Sequence, residues 1–287
     1  MSEKKKIREM TSDEIKHEVR KAYSIVAGRS TQSSSPYCYC SADSEGSSSA
    51  KSRCCDSRTI ESEAGSKAEC CDASTTPRAT EHAKSMGYDL SDIPHAASES
   101  FAGCGNPVAL AGLKQGEVVL DLGSGAGLDA FVAAKRVGKT GRVIGVDMTP
   151  KMLASARRSA AEIGLTNIEF REGDIEDLPV KDNSIDVVIS NCVINLAPDK
   201  ATVFKESYRV LRPGGRLMVS DIVLNEELPE EDRNNIAKYT GCLGGAIMED
   251  EYIQHIRNAG FEELSIVEKE KWGQAASVRI TAYKPKT

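Results

Sequence analysis

An acidic residue, a glycine-rich turn and a second acidic residue are spaced along this sequence as in sites for nucleotide-like cofactors. The turn follows Asp121, which lies at the end of an apolar run, and contains Gly123, Ser124, Gly125 and Gly127. Glycines let a backbone approach a ligand closely, and the helix expected after the turn offers free N–H groups at its positive end. Glycines alone would indicate no more than a tight turn. Asp147 ends the next apolar run 20 residues after Gly127, the spacing of a ribose-binding carboxylate, and this second acid predicts a cofactor site.

The position of Asp121 indicates which kind of cofactor the turn would hold. Turns that bind a pyrophosphate tend to exclude acids, because two negative groups at one helix terminus repel each other. A carboxylate just ahead of the glycines instead suits a cofactor with a cationic end. The run D-L-G-S-G-A-G, which starts at Asp121, resembles motif I of the class I S-adenosylmethionine methyltransferases, and the resemblance extends over roughly residues 116–216.

This resemblance implies an α/β fold of the Rossmann-like class I methyltransferase type, with a seven-stranded sheet and helices on both faces. The alternation of strand-like and helix-like runs agrees with that fold. An N-terminal helix is predicted from Thr11 to Ala27, ahead of the domain, and a helical insertion follows the fifth strand. Strands are predicted at 118–122, 142–147, 167–171, 185–190, 216–222, 263–270 and 276–283, and helices at 128–137, 150–163, 199–211, 229–240 and 249–258.

The same resemblance assigns expected roles to residues at successive strand ends. Asp121 and the glycines would hold the amino-acid end of S-adenosyl-L-methionine, and Asp147 would accept hydrogen bonds from both ribose hydroxyls. Met148 would pack on the adenine, and Asp174 would accept from the adenine amino group. Taken alone, Asp174 is better explained as an acid in a solvated turn. The other residues of the expected cofactor site are Ile175, Glu176 and Asn191.

Three of the nine cysteines lie within or beside the predicted domain, and they indicate a substrate with an affinity for sulfur. Cys104 precedes the first strand, Cys192 follows the fourth, and Cys242 lies in the glycine-rich loop of the insertion. Each of them alone is explained as a small buried residue. Three thiols around one methyl-donor site would suit a soft trigonal centre. Zinc is less well suited, because it prefers four ligands and usually comes with C-x-x-C pairs.

The segments around these cysteines narrow the resemblance. They read G-C-G at Cys104, N-C-V-I-N at Cys192 and G-C-L-G-G at Cys242, and they are similar to the motifs of the arsenite methyltransferases. That resemblance implies that the three cysteines bind As(III) as thiolates and that trivalent arsenicals are methylated from S-adenosylmethionine. It also implies a reductant of the thioredoxin or glutathione type, with thioredoxin as a partner, and a fourth functional cysteine. Cys38 and Cys40 are preferred for that role.

The remaining N-terminal cysteines form a near-repeat, with Cys54-Cys55 and Cys70-Cys71 each followed by an aspartate. These pairs depart from the family pattern and leave the identity of the fourth cysteine open. They indicate either a loop that captures metalloids or a chance repeat within a low-complexity segment.

Two other functions stay open on the sequence. One is a small-molecule C- or O-methyltransferase whose cysteines are core residues, although an acid–base pair after the fourth strand is missing. The other is a non-catalytic, thiol-rich protein that binds metalloids, although the cofactor motifs are complete.

Composition excludes some partners and divides the chain into parts. The 287 residues carry a net charge of −6 with dispersed basic residues, which argues against nucleic acid, and no apolar run is long enough for a membrane span. We therefore expect a cytoplasmic protein. Residues 29–79 are rich in Ser and Cys and poor in large aliphatic residues, so we expect a mobile loop. The expected parts are a helix at 1–28, this loop at 29–79, the methyltransferase domain at 80–227, and the arsenic-binding insertion with its closing hairpin at 228–287.

Overall fold

The strands form one mixed sheet of seven in the computed structural model, which describes residues 6–29 and 79–287. In chain order they are β1 (Val118–Leu122), β2 (Arg142–Asp147), β3 (Ile168–Glu172), β4 (Ile185–Asn191), β5 (Leu211–Leu224), β6 (Glu262–Trp272) and β7 (Ala275–Tyr283). Their spatial order is β3-β2-β1-β4-β5-β7-β6. The first five are parallel, whereas β7 runs antiparallel to both of its neighbours. The predicted fold class is confirmed.

Helices cover both faces of the sheet because its central strands are apolar on both sides. Val119 packs on one face with Phe131 of one helix layer, and the next residue, Leu120, packs on the other face with Phe204 and Tyr252. The helices are α1 (Ser12–Arg29), α2 (Ala79–Ser85), α3 (His95–Glu99), α4 (Pro107–Leu110), α5 (Leu128–Val137), α6 (Pro150–Glu162), α7 (Lys200–Val210), α8 (Glu230–Arg233), α9 (Ile236–Thr240) and α10 (Glu249–Asn258). No helix of the described residues is long and apolar enough to cross a bilayer.

The strand order creates a crevice beside β1. This strand lies between β2 and β4, and the chain crosses in opposite directions from β1 to β2 and from β3 to β4. The loops that leave the carboxyl ends of β1 and β4 therefore diverge, which is where ligands bind in open α/β sheets. Every strand end that the sequence analysis singled out lies on this edge.

Several element boundaries differ from the predicted ones. The helix predicted at 229–240 forms two short helices, α8 and α9, and α1 runs from Ser12 to Arg29, not from Thr11 to Ala27. Strand β5 begins at Leu211, not at Arg216, because residues 211–215 are part of the extended strand and Leu211 pairs with Ile185 of β4. Helix α1 is capped by Thr11, whose hydroxyl accepts from the Glu14 N–H (3.3 Å) while its own N–H donates to the Glu14 carboxylate (2.7 Å). The expected loop at 29–79 lies outside the described residues, apart from the helix ends at 29 and 79.

Candidate active site

A cavity of about 970 Å³, partly open to solvent, lies at the carboxyl ends of β1, β2 and β4. The turn after β1 and the ends of β2 and β4 form its floor, and α1 borders it through Lys16, Val19 and Tyr23. Of the expected cofactor residues, those that line this cavity are Asp121, Gly123, Ser124, Gly125, Asp147, Met148, Asp174, Ile175 and Asn191.

The glycines of the turn are needed for its shape. Gly123 has a φ of +61°, and a Cβ atom there would come within 2.3 Å of the Val193 side chain. Gly127 begins α5 with a φ of +96°, and a Cβ atom there would meet the ring of Phe131 at 2.8 Å. Gly125 has open space beside it, and its N–H donates to Asp147 (2.9 Å). The turn therefore presents bare backbone to the cavity.

Two polar atoms on the cavity wall have no hydrogen-bond partner among the described residues. They are the Asp121 Oδ2 and the Ser124 Oγ, and both side chains are buried. Burial raises the pKa of Asp121 well above its usual value, and the charges of Asp129 and Asp147 raise it further. Buried acceptors are normally paired. An unpaired carboxylate oxygen on a cavity wall fits a cationic ligand group, as the sequence suggested.

Asp129 is a second buried acid on this wall, and sequence reasoning missed it. It lies in the first turn of α5 and accepts from the Tyr88 hydroxyl and from the Asn191 amide (3.1 Å). Burial raises its pKa to about 6, and those two hydrogen bonds oppose the rise. The only signal in the sequence was an acid two residues after the last glycine.

Asp147 faces the cavity with both oxygens already in use. Its Oδ2 accepts from the Gly125 N–H (2.9 Å) and its Oδ1 from the Thr149 N–H (2.7 Å). Each oxygen keeps a second acceptor position, so the expected pair of hydroxyl donors fits. Burial raises the pKa of this carboxyl, while the two backbone bonds lower it.

Asp174 and Glu176 share one ammonium group. The Nζ of Lys16 on α1 lies 2.6 Å from Asp174 and 2.5 Å from Glu176. Glu176 also accepts from the Asp199 N–H (2.8 Å) and is not part of the cavity wall. The pair links α1 to the loop after β3, so only Asp174 is placed to contact a ligand.

The sulfur atoms of the three domain cysteines come together beside this cavity. The Sγ atoms of Cys104 and Cys192 and a carboxylate oxygen of Asp221 all lie within 4.8 Å of one another. The Cys242 thiol donates to the Cys192 carbonyl (2.9 Å). Cys192 and Cys242 have φ angles of +58° and +67°, a conformation that costs a non-glycine residue on the order of 1–3 kcal/mol. Such strain is common at functional sites.

The thiols of Cys104 and Cys192 are protonated at neutral pH. Hydrogen bonds with the thiols of Cys104 and Cys242, together with burial, raise the pKa of Cys192 well above its usual value. The bond with Cys192 lowers the pKa of Cys104, but burial and the negative charge of Asp221 outweigh it. A ligand that takes these sulfurs as thiolates must therefore displace protons.

Asn191 fixes the loop that carries Cys104. Its Oδ1 accepts from the Cys104 N–H (3.0 Å), and its amide nitrogen donates to the Gly105 carbonyl (2.9 Å). A Cβ atom at Gly103 would lie 2.4 Å from the Asn191 side chain, so only glycine allows this approach. The Ser277 hydroxyl donates to the Cys104 carbonyl (2.7 Å). Asn191 was expected over the cofactor; it lines the cavity, and its hydrogen bonds also hold the cysteine loop.

Comparison with known proteins identifies the family. A family profile described as "Methyltransferase domain" matches residues 113–269. An arsenite methyltransferase of Halobacterium salinarum is 48% identical over 191 residues, 66% of this chain and 49% of that protein. The human arsenite methyltransferase is 42% identical over 50% of this chain and 40% of its own length. The crystal structure of an arsenic(III) S-adenosylmethionine methyltransferase from Chlamydomonas reinhardtii is 40% identical, with a TM-score of 0.62 over 74% of this chain and 75% of that one.

The chain belongs to the arsenite methyltransferase family. It spans about half the length of the Halobacterium salinarum protein (49%) and less of the human one (40%). What the whole relatives do is therefore not transferred by similarity alone. The recognition of the family from the G-C-G, N-C-V-I-N and G-C-L-G-G segments is confirmed.

Six of the cysteine positions considered for this arsenite methyltransferase family member fall outside the part of the chain that the structure describes. Cys38 and Cys40 lie outside the described residues, as do both vicinal pairs. Their roles, like the roles of the placed residues, stay predictions.

Asp221 is the other residue that sequence reasoning missed. It is an acid within the apolar run of β5, and it is fully buried. It accepts from the Asn195 amide (2.9 Å), the Ile222 N–H (2.8 Å) and the Tyr252 hydroxyl (3.0 Å). Burial raises its pKa to about 6, against these bonds and the charge of Lys200. An acid inside a strand of aliphatic residues was the signal that could have revealed it.

Proposed function

We propose that this protein is an arsenite methyltransferase, which transfers methyl groups from S-adenosylmethionine to trivalent arsenic held by Cys104, Cys192 and Cys242. The observation that supports the proposal most directly is that a group of thiols lies next to a cavity suited to a cationic cofactor. Thiols from three separate loops converge at its edge, and Cys192 lines it together with the unpaired carboxylate of Asp121. The similarity to proteins named as arsenite methyltransferases supports the same activity.

The cavity residues fit the proposed cofactor. S-adenosylmethionine, when bound, would supply an electrophilic methyl group on a positively charged sulfur. Asp121, with Asp129 behind it, would attract the cationic amino-acid end, and the unpaired Oδ2 of Asp121 offers the acceptor. Asp147 would accept the ribose hydroxyls, and Asp174, which lines the same cavity, would accept from the adenine amino group.

The cysteines would prepare the arsenic for attack. As each thiol binds, its proton would leave with an arsenic-bound hydroxide as water, so that no general base is required. Three sulfur ligands leave arsenic a lone pair, and fixing it beside the cavity turns a bimolecular encounter into an intramolecular one. Of the three cysteines, Cys192 lines the cavity wall. We expect its sulfur to be the ligand nearest the transferred methyl group.

Methylation formally oxidises arsenic, so repeated transfer needs electrons. We propose a thiol reductant of the thioredoxin or glutathione type, with thioredoxin as a partner, and Cys38 or Cys40 as the fourth functional cysteine. Detoxification of arsenic in the cytoplasm would be the biological role.

Arsenical speciation tests this function. The chain is incubated with arsenite or methylarsenite, methyl-labelled S-adenosylmethionine and a thiol reductant, and the products are separated. Cys192→Ser replaces a soft thiolate with a hydroxyl that stays protonated, so we expect it to methylate neither substrate. Cys38→Ser is the matched control and should still methylate methylarsenite, which needs fewer thiolates. If Cys192→Ser methylates methylarsenite at the wild-type rate, the assignment is wrong, and a small-molecule C- or O-methyltransferase becomes the better explanation.

A further inference from the structure

Asp221 has no part in the proposed methyl transfer, although it lies among the thiols that would bind arsenic. One of its carboxylate oxygens is within 4.8 Å of the sulfurs of both Cys104 and Cys192. Methylation of arsenic by the scheme above needs no carboxylate at that position. A buried acid costs stability, because desolvation penalises its charged form. Its position beside the thiols of Cys104 and Cys192 makes it a candidate ligand for a bound group.

We propose that Cys104, Cys192, Cys242 and Asp221 form a binding site for a thiophilic divalent cation of the Zn²⁺ class. Such a cation would compete with arsenic for the same sulfurs. The competition rests on the proposed function, whereas the cation binding does not. Asp221 supplies the fourth ligand that three cysteines alone lack, and three sulfurs with one oxygen form a complete tetrahedral set.

The distances suit such an ion after a small contraction. Zinc binds sulfur at about 2.3 Å and carboxylate oxygen at about 2.0–2.2 Å, so neighbouring ligand atoms of a tetrahedral site lie roughly 3.5–4 Å apart. The sulfurs of Cys104 and Cys192 and the Asp221 oxygen lie within 4.8 Å of one another. The Cys242 sulfur lies outside that group of atoms, but its thiol is hydrogen-bonded to the Cys192 thiol, so Cys242 would move toward the other three ligands to become the fourth.

The carboxylate is held in place as metal-binding carboxylates usually are. Asn195 and the Ile222 N–H both donate to Asp221 Oδ1 (2.9 and 2.8 Å), and the Tyr252 hydroxyl donates to Oδ2 (3.0 Å). Outer hydrogen bonds of this kind orient a ligand and preserve metal affinity. Oδ2 accepts one bond in this arrangement and keeps capacity for a second partner.

Charge near the site also suits a cation held by several anions. A divalent ion with three thiolates and one carboxylate leaves an excess of two negative charges. The buried ammonium of Lys200, which donates to the Ala197 carbonyl (3.1 Å), interacts favourably with Asp221 and Cys242 and offsets part of that excess. As(III) with three thiolates is neutral, and it prefers sulfur to oxygen. Asp221 should therefore matter for the cation and not for arsenic.

Titration with Cd²⁺ tests the site through the sulfur-to-cadmium absorption band. The full chain is used with Cys38, Cys40, Cys54, Cys55, Cys70 and Cys71 replaced by Ser, so that only the three domain cysteines respond. We expect one Cd²⁺ per chain, and Asp221→Asn should weaken its binding at least as much as loss of an outer-shell partner does, roughly 10- to 100-fold. Arsenite affinity, measured by equilibrium dialysis, should stay within about twofold of the parent, since arsenic uses the sulfurs alone.

Ser220→Ala is the matched control, because Ser220 is the neighbouring buried residue and its hydroxyl has no partner among the described residues. It should leave both affinities unchanged. Cys192→Ser should abolish the cadmium band. A band that survives in Cys192→Ser would place the cation elsewhere and overturn the proposal, as would equal Cd²⁺ affinity in Asp221→Asn.

A measurement on the unsubstituted site decides the case in which Asp221→Asn does not fold. The ¹¹³Cd chemical shift reports the number of sulfur ligands, and we expect three. A shift typical of two sulfur ligands or fewer would overturn the proposal. If Cd²⁺ binds as expected but the chain with all its cysteines intact methylates no arsenical, the proposed function fails and the cation site stands. If arsenicals are methylated but Asp221→Asn binds Cd²⁺ as tightly as the parent, the proposed function stands and the cation site fails.

Discussion

The candidate site has two halves, the cofactor cavity and the group of thiols beside it, and they are built in different ways. The cofactor half comes from the turn after β1 and the end of β2, and its main contacts are short-range, such as the Gly125 N–H on Asp147, 22 residues away. The thiol half joins three loops from distant parts of the sequence. Its contacts span 87 residues from Cys104 to Asn191 and 173 from Cys104 to Ser277. One half is set by local backbone shape, and the other by long-range side-chain bonds.

This difference predicts how each half fails. A change in the cofactor half should act through the backbone, because the glycines have no side chains to lose. A change in the thiol half should act through lost hydrogen bonds, which leave buried groups unpaired. The two kinds of damage differ in size and in what they disturb.

The largest effect is expected from Gly123→Ala in the cofactor half. The new Cβ atom would come within 2.3 Å of Val193, at a residue whose φ is +61°. Strain and overpacking together should lower the free energy of unfolding by roughly 2–5 kcal/mol. Urea unfolding without cofactor measures it. Gly125→Ala is the control, because its φ of +52° is similar but its Cβ atom would meet nothing within 4 Å. An equal loss in both variants would show that the contact with Val193 has no importance.

Asn191→Ala should have the next largest effect, and on the thiol half. It leaves the Cys104 N–H and the Gly105 carbonyl without their partner, at roughly 0.5–1.5 kcal/mol for each of these partly buried hydrogen bonds. With the Cys104 loop loosened, arsenical affinity should fall more than cofactor affinity, and iodoacetamide should alkylate Cys104 faster. Calorimetric titration measures the two affinities, and mass spectrometry measures the rate of Cys104 alkylation.

The control for this prediction is another asparagine with the same kind of bonds. Asn167 donates to the Ala134 and Gly138 carbonyls (2.9 Å each), at the opposite edge of the sheet. Asn167→Ala should lower stability without changing the alkylation of Cys104. If Asn191→Ala leaves that alkylation rate at the Asn167→Ala level, Asn191 supports the fold in general and not the Cys104 loop.

The same difference explains what could be predicted from the sequence. Asp121 and Asp147 were found because each follows an apolar run, and parallel strands bring their carboxyl ends to one edge. Asp129 and Asp221 were missed because their importance comes from what surrounds them. Nothing local shows that Asp129 accepts from Tyr88, 41 residues earlier, or that Asp221 lies beside Cys104.

The boundaries of β5 were missed for a similar reason. Its first residues, Leu211 to Gly215, carry the Pro-Gly-Gly run of a turn, yet Gly214 donates to the Lys284 carbonyl (3.0 Å) at the end of β7. A partner from the far end of the chain outweighs the local preference for a turn. The expectation for residues 29–79 and for their cysteines stays a prediction.

A smaller effect should appear in the pH dependence of cofactor affinity. The pKa of Asp129, raised to about 6 by burial, means that part of its charge is lost below that pH. Affinity for the cationic cofactor should therefore fall several-fold between pH 7.5 and 5.5, and Asp129→Asn should remove most of that fall.

Fold stability should respond to this acid with the opposite sign. Because its folded pKa lies above the unfolded value near 4, the native state binds more protons between about pH 4 and 6, and stability attributable to Asp129 rises as the pH falls through that window. Comparing wild type with Asp129→Asn isolates this contribution from those of Asp121 and Asp221. If cofactor affinity and fold stability both fall, or both rise, as the pH is lowered, the raised pKa of Asp129 does not explain these two responses.

The smallest effect is expected from Lys16→Met, which removes the ion pairs between α1 and the loop after β3. Lys16 pairs with Asp174 and Glu176 at a partly exposed position, where each ion pair contributes on the order of 0.2–1 kcal/mol. Loss of the ammonium frees Asp174 for the adenine but loosens the helix that borders the cavity. We expect cofactor affinity to change by less than about fivefold, since 1 kcal/mol corresponds to roughly that factor. Lys21→Met, which removes an exposed and longer pair with Glu18 (3.9 Å), should change nothing measurable. A loss of tenfold or more in Lys16→Met would show that α1 belongs to the cofactor half itself, so that this half also depends on a side-chain bond across 158 residues of sequence, from Lys16 to Asp174.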